Sequence, residues 1–197
     1  MSTVGVQATA QTVRELLTDS HYEVPVYQRN YAWGEEEIRQ LIDDLIDAAS
    51  APDISEYFLG NIVVSAKSDD TTSAYSLIDG QQRLTTLHLL FTYLHAKQEV
   101  SAFPINRLLF ESRPRAEHAF ASLTDNSAEN DLDPGILSGF RIIEQYSNTT
   151  RLLDHLGFVL DRVLVARLEL PADTDLNRYF EVMNTRGEQL QQQDIVK

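Results

Sequence analysis

The chain has 197 residues, 43% apolar and 23% charged, which is enough for one domain with a substantial core. It has no cysteine, which excludes disulfides and thiolate metal sites, and no apolar run approaches the roughly 18 residues of a membrane-spanning helix. With 16 basic residues against 30 acidic ones, the net charge of −14 excludes a general basic surface for nucleic acid, so DNA contact must rest on a local patch or a partner domain.

The first residues lack the apolar core of a signal peptide, and the cytoplasm is the expected compartment, with no membrane partner. Residues 1–11 are small and polar and are expected to be poorly ordered. Residues 12–17 (TVRELL) predict a short helix with Thr12 as its N-cap. Residues 22–33 (YEVPVYQRNYAW) follow, where Pro25 forces an extended strand edge or an ordered loop. Tyr22, Tyr27, Tyr31 and Trp33 alternate there with Gln28, Arg29 and Asn30. Such a stretch is either a recognition surface, since bases stack on aromatic rings, or a set of core anchors. We expect both, with Trp33 half-buried and Arg29 directed at a ligand.

Residues 35–48 predict the clearest helix, with Ile38, Leu41, Ile42, Leu45 and Ile46 on one face and three glutamates in the first turn. Asp43, Asp44 and Asp47 on its outer face are assigned to solvation rather than to a metal. Residues 57–66 and 75–78 form two strands of an antiparallel hairpin, with Gly60 marking a bulge or a ligand's close approach. The second strand runs into Asp79-Gly80 and then a helix with Leu84, Leu87, Phe91 and Leu94 on its buried face. A helix N-terminus, a permissive glycine and the planar fork of Arg83 together outline a phosphate site. Asp79, Gln82, Arg83 and Thr86 fall at i, i+3, i+4 and i+7 and would share its polar face. The alternative is an ordinary helix start, with Asp79 as N-cap and Arg83 as its ion-pair partner.

Beyond residue 98 the pattern weakens. Residues 104–123 predict one or two helices broken at Pro114, residues 125–133 an exposed loop, and residues 135–145 and 150–156 two more helices. Val163–Leu170 alternates as a strand, with Leu164, Ala166, Leu168 and Leu170 on one face. A short helix capped by Asp173 or Thr174 then ends in Asn184-Thr185-Arg186-Gly187. Arg186 would supply a second phosphate clamp, or only bond the last helix carbonyls. Residues 190–197 begin a helical pattern that has no C-cap, so we expect the N-terminal part of a longer protein. The five histidines form no metal-ligand spacing, and neither a P-loop, a nucleophile elbow nor a His-Asn-His nuclease pattern is present.

Three segments carry a resemblance: VPVYQRNYAW (24–33), IDGQQRLTTLHLL (78–90) and FEVMNTRGEQLQQQDIVK (180–197). In order and spacing they resemble the domain-of-unknown-function 262 family, the N-terminal domain of GmrSD-type modification-dependent restriction enzymes and of the phosphorothioate-sensing SspE proteins. The resemblance implies one N-terminal domain over 1–197, of α/β or α+β class, with a ParB/sulfiredoxin-like core of mixed sheet and packed helices. It implies a helical extension around 98–160 and a C-terminal nuclease domain outside this sequence. It further implies binding and hydrolysis of GTP or another NTP, coupling recognition of modified DNA in phage defence to that nuclease.

In that picture Asp79 binds Mg²⁺ or orients water, and Gln81 and Gln82 position water or base. Arg29, Arg83 and Arg186 stabilise phosphate charge, and Gly80, Thr86 and Asn184 complete the nucleotide site. A rival from another class is a binding module without catalysis, in which Tyr27, Gln28, Arg29 and Trp33 hold a modified DNA group. A structural or homodimerisation domain is the third reading.

Overall fold

A computed structural model of the chain describes residues 6–67, 74–97, 108–125, 132–171, 174–176 and 179. Six strands form one mixed sheet: β1 (Gln7–Thr12), β2 (His21–Val24), β3 (Tyr57–Ala66), β4 (Ala74–Asp79), β5 (Leu108–Phe110) and β6 (Val163–Leu170), in the order β1-β6-β3-β4-β2-β5. The β1/β6 and β3/β4 pairs are antiparallel, while β6/β3, β4/β2 and β2/β5 are parallel. The class is therefore mixed α/β, and the β3–β4 hairpin lies at the middle of the sheet.

The helices are α1 (Val13–Thr18), α2 (Glu35–Ser50), α3 (Gln81–Ala96), α4 (Pro114–Asp125), α5 (Pro134–Gln145), α6 (Asn148–Arg151) and α7 (Leu156–Asp161), with a 3-10 turn over Leu152–His155. Thr12 caps α1 in a reciprocal capping box with Glu15. On α2 the five predicted apolar residues are all buried, and the outer-face Asp43 accepts hydrogen bonds from Tyr146 and Asn148, tying α2 to the α5–α6 corner. Among the described residues, no group of acidic or histidine side chains has the makings of a metal site, and no helix is long and apolar enough to cross a membrane.

The two faces of the sheet carry separate cores. Ile62, Val64 and Leu77 point into the main core under the helices, whereas Val63, Ile78 and Leu170 pack with Leu168, Leu176 and Tyr179 on the other side. Alternation along β3 and β4 produces this division.

Three expectations need correction. Residues 7–12 do not stand free of the fold but form the edge strand β1, because β6 offers them a full antiparallel ladder. The 104–123 region holds a strand as well as a helix: β5 is only three residues long, too short to show a period, and pairs in parallel with β2. Pro114 starts α4 rather than breaking it, as its missing N–H is harmless in a first turn. On β6 the alternation holds: Leu168 and Leu170 share the second core, while Val163 and Val165 on the opposite face enter the main core.

Candidate functional site

Strand β4 ends at Asp79, and α3 begins two residues later. Gly80 makes the turn in the left-handed region at φ 88°, and a Cβ there would lie 2.8 Å from Ile62 Cγ2. Asp79 Oδ1 accepts the Gly80 N–H at 2.7 Å, so the carboxylate closes the turn from the strand side and the N-cap itself is Gly80. Among the described residues Asp79 and Arg83 form no ion pair. Arg83 turns instead toward β3, where its guanidinium lies against Gly60.

The predicted bulge is present at that point. The β3/β6 register shifts between Phe58 and Gly60, and Gly60 takes φ 130°. The close approach there is made by Arg83: a Cβ at Gly60 would lie 2.9 Å from Arg83 Nη1. The positive charge reaches Tyr57 as well. Burial raises that phenol's pKa, Asp44 adds to the rise, and Arg83 opposes both.

Helix α3 is buried on nearly every side from Gln81 to Leu94, with Arg83 the more exposed exception, so the expected polar face is divided. Thr86 is fully buried; its hydroxyl donates to the Gln82 carbonyl at 2.9 Å and meets Tyr31 Oη at 2.8 Å. Burial holds the Tyr31 phenol up at a pKa of about 12, so it stays protonated. Its ring is seated at Gly139 of α5, where a Cβ would lie 2.7 Å from Tyr31 Cε1.

The two glutamines have different surroundings. Gln82 Oε1 accepts from the backbone N–H of Ala32 (2.8 Å) and of Trp33 (3.2 Å), and its Nε2 donates to the Asn30 carbonyl at 3.2 Å. Its amide is thus committed to holding the aromatic loop after β2. Gln81 is 4% exposed, yet among the described residues neither atom of its amide has a hydrogen-bond partner. Its neighbours at i+4 and i+7 share that condition, since Thr85 Oγ1 and His88 Nε2 are also buried with no partner among the described residues. Burial lowers the His88 pKa to about 3, which keeps the ring neutral.

Gln28, Arg29, Trp33, Asp79, Gly80, Gln81, Gln82 and Arg83 line one open cavity of about 230 Å³. The structure therefore brings together most of the residues singled out in sequence. Gln28 reaches across to donate from Nε2 to the Ile78 carbonyl at 2.7 Å, Arg29 is exposed at the mouth, and Trp33 is half-buried in the wall. Two predicted residues lie elsewhere: Thr86 is sealed beneath Tyr31, and Tyr27, 55% exposed, does not line the cavity. Asn184 and Arg186 lie outside the described residues. The sequence reading missed Gly60 as the seat of Arg83 and Gly139 as that of Tyr31. A lone glycine inside a strand or a helix pattern was the available signal.

Chemically, the cavity offers two guanidinium groups, a helix N-terminus, one carboxylate, one unengaged amide and an indole wall. On a mixed α/β domain this is a donor set whose chemistry suits an anion. Over residues 13–197 the chain matches the GmrSD restriction endonuclease N-terminal domain, and it belongs to that family. No match was found among curated proteins.

Proposed function

We propose that the cavity binds the phosphate end of a nucleoside triphosphate, with GTP the leading candidate, and hydrolyses it. The reading is carried by Gln81: a buried amide with both polar atoms unengaged among the described residues, lining a cavity flanked by Arg29 and Arg83. A buried unpaired amide is costly, and such groups persist where a ligand or water pairs with them. At about 230 Å³ the cavity falls below the span typical of whole-ligand pockets, so it takes phosphoryl groups and leaves the base toward the mouth and Trp33.

In this mechanism Arg83 and Arg29 neutralise charge that builds on the phosphoryl oxygens, and the α3 N-terminus adds its dipole. Gln81 orients the attacking water through one amide atom and a phosphoryl oxygen through the other. Gln82 acts indirectly, by fixing the loop that carries Arg29. Asp79 is the one carboxylate of the cavity, so Mg²⁺ would be held there chiefly by substrate phosphates and water with Asp79 as the protein ligand, and the ion would neutralise phosphate charge. Asn184 and Arg186 would add a further clamp. Family membership supports placing this activity in a restriction protein, where it couples sensing of modified DNA to a C-terminal nuclease domain.

Calorimetric titration of the chain with Mg²⁺-GTP, Mg²⁺-ATP and inorganic triphosphate, together with a phosphate-release assay, tests the proposal. Binding and turnover are expected, both abolished by Arg83→Ala with the melting temperature within a few degrees of wild type. A wild-type chain that binds none of the three would remove the nucleotide reading. Binding of modified DNA in its place would favour the non-catalytic module.

A further inference from the structure

The loop that walls the cavity is also gripped from its far side. The turn between β5 and α4 supplies Glu111 and Arg113, which face the 25–28 backbone. Glu111 donates its own N–H to the Val24 carbonyl at 2.9 Å, and its carboxylate accepts the Val26 N–H at 3.0 Å. Arg113 Nη2 donates to the carbonyls of Val26 (3.0 Å), Pro25 (3.4 Å) and, closest of the three, Gln28. Between these two residues Ser112 takes φ 56°, left-handed backbone that a non-glycine residue rarely adopts. The strain is tolerated where both neighbours are fixed by such contacts.

Gln28 joins this latch to the cavity. Its carbonyl faces Arg113, while its side-chain amide bonds Ile78, the residue before Asp79. Arg29 follows directly and is exposed at the mouth. On the other flank Gln82 holds residues 30, 32 and 33. Arg29 is thus the exposed cation of a loop pinned on both sides, which removes most of the backbone freedom that would otherwise blur its position.

We infer that Arg113 is a positioning residue for the site: by holding the 25–28 carbonyls it aims Arg29 at the bound phosphate. This rests on the nucleotide reading above. The three carbonyls converge on one nitrogen, Nη2, of a guanidinium that keeps its charge at any working pH. Arg113 does not line the cavity; it acts through Gln28 and Arg29.

A double-mutant cycle tests the inference with inorganic triphosphate and Mg²⁺-GTP as probes. Arg113→Met and Arg29→Ala should each weaken binding by about tenfold or more, because a displacement near 1 Å is enough to forfeit such a contact. The double variant should bind no more weakly than the worse single variant. Losses that multiply to about a hundredfold, or Arg113→Met binding like wild type, would overturn the inference, since independent sites add in free energy. Hydrogen exchange supplies an arm that needs no ligand. Amides of residues 26–30 should exchange faster in Arg113→Met while those of α2 and α3 keep their rates. Unchanged exchange in the loop would overturn the latch whatever the chain binds. Failure of wild type to bind either probe, with faster loop exchange in the variant, would remove the nucleotide reading and leave the latch standing.

Discussion

The guanidinium of Arg83 rests on the backbone of Gly60, with room for no side chain between them. One residue begins a helix and the other sits at a bulge in a central strand, so the helix start and the sheet share one dimension. Gly60→Ala meets two obstacles, a backbone at φ 130° and a Cβ 2.9 Å from Arg83 Nη1. It should cost about 1–3 kcal/mol in chemical denaturation from the strained backbone alone. It should also reduce triphosphate affinity nearly as much as Arg83→Ala does. Normal affinity in a destabilised Gly60→Ala chain would show that the position of Arg83 is not set by this contact.

The two glutamines should respond in opposite ways. Gln82→Leu strips the acceptor from two backbone N–H groups, so a stability loss of about 2–3 kcal/mol is expected, with the 30–33 loop released. Gln81→Leu removes an amide with no partner among the described residues, so stability should stay level or rise while ligand binding falls. Urea titration beside calorimetry separates the two. Equal stability losses would contradict the division of labour drawn from the contacts.

Thr86→Val offers a check on depth. The substitution keeps the volume but takes away the hydroxyl that meets Tyr31, leaving a buried phenol unpaired at a cost of about 1–3 kcal/mol. Triphosphate affinity, measured where the variant is fully folded, should stay within about twofold of wild type. A tenfold weaker affinity with unchanged stability would return Thr86 to the ligand-binding role that its spacing suggested.

The buried His88 ring predicts a pH dependence. Its folded pKa, near 3, lies below the ordinary value of 6.5, so the unfolded chain binds the extra proton first. The stability associated with the neutral ring is fully present above about pH 6.5 and is lost as pH falls toward 3. At pH 4.5 this one residue should account for about 2–3 kcal/mol of the acid destabilisation. His88→Leu should therefore lose less stability than wild type between pH 7 and pH 4.5. Parallel pH profiles for the two proteins would show that the ring is reached by solvent.

Much of this protein was determined locally. The apolar stripe of α2, the Thr12 cap, the β3–β4 hairpin and the glycine turn at 79–80 each depend on residues within a few positions of one another, and such patterns survive in a linear reading. The two segments that line the cavity, one strand-to-helix junction and one loop, are each legible in the same way, and the tertiary bonds from Gln28 and Gln82 bring them together. What only the tertiary structure decided is the direction in which each of those residues is engaged. Gln81 and Gln82 are identical neighbours, but a helix turns about 100° per residue, so one amide meets the loop and the other meets the cavity. Thr86 shares a helical face with Gln82, but whether that face is solvent or interior depended on Tyr31 and α5 arriving from elsewhere in the chain. The pairing of β1 and the existence of β5 were likewise set by partner strands distant in sequence. Spacing fixes which residues lie near one another along an element; packing alone fixes what lies opposite them.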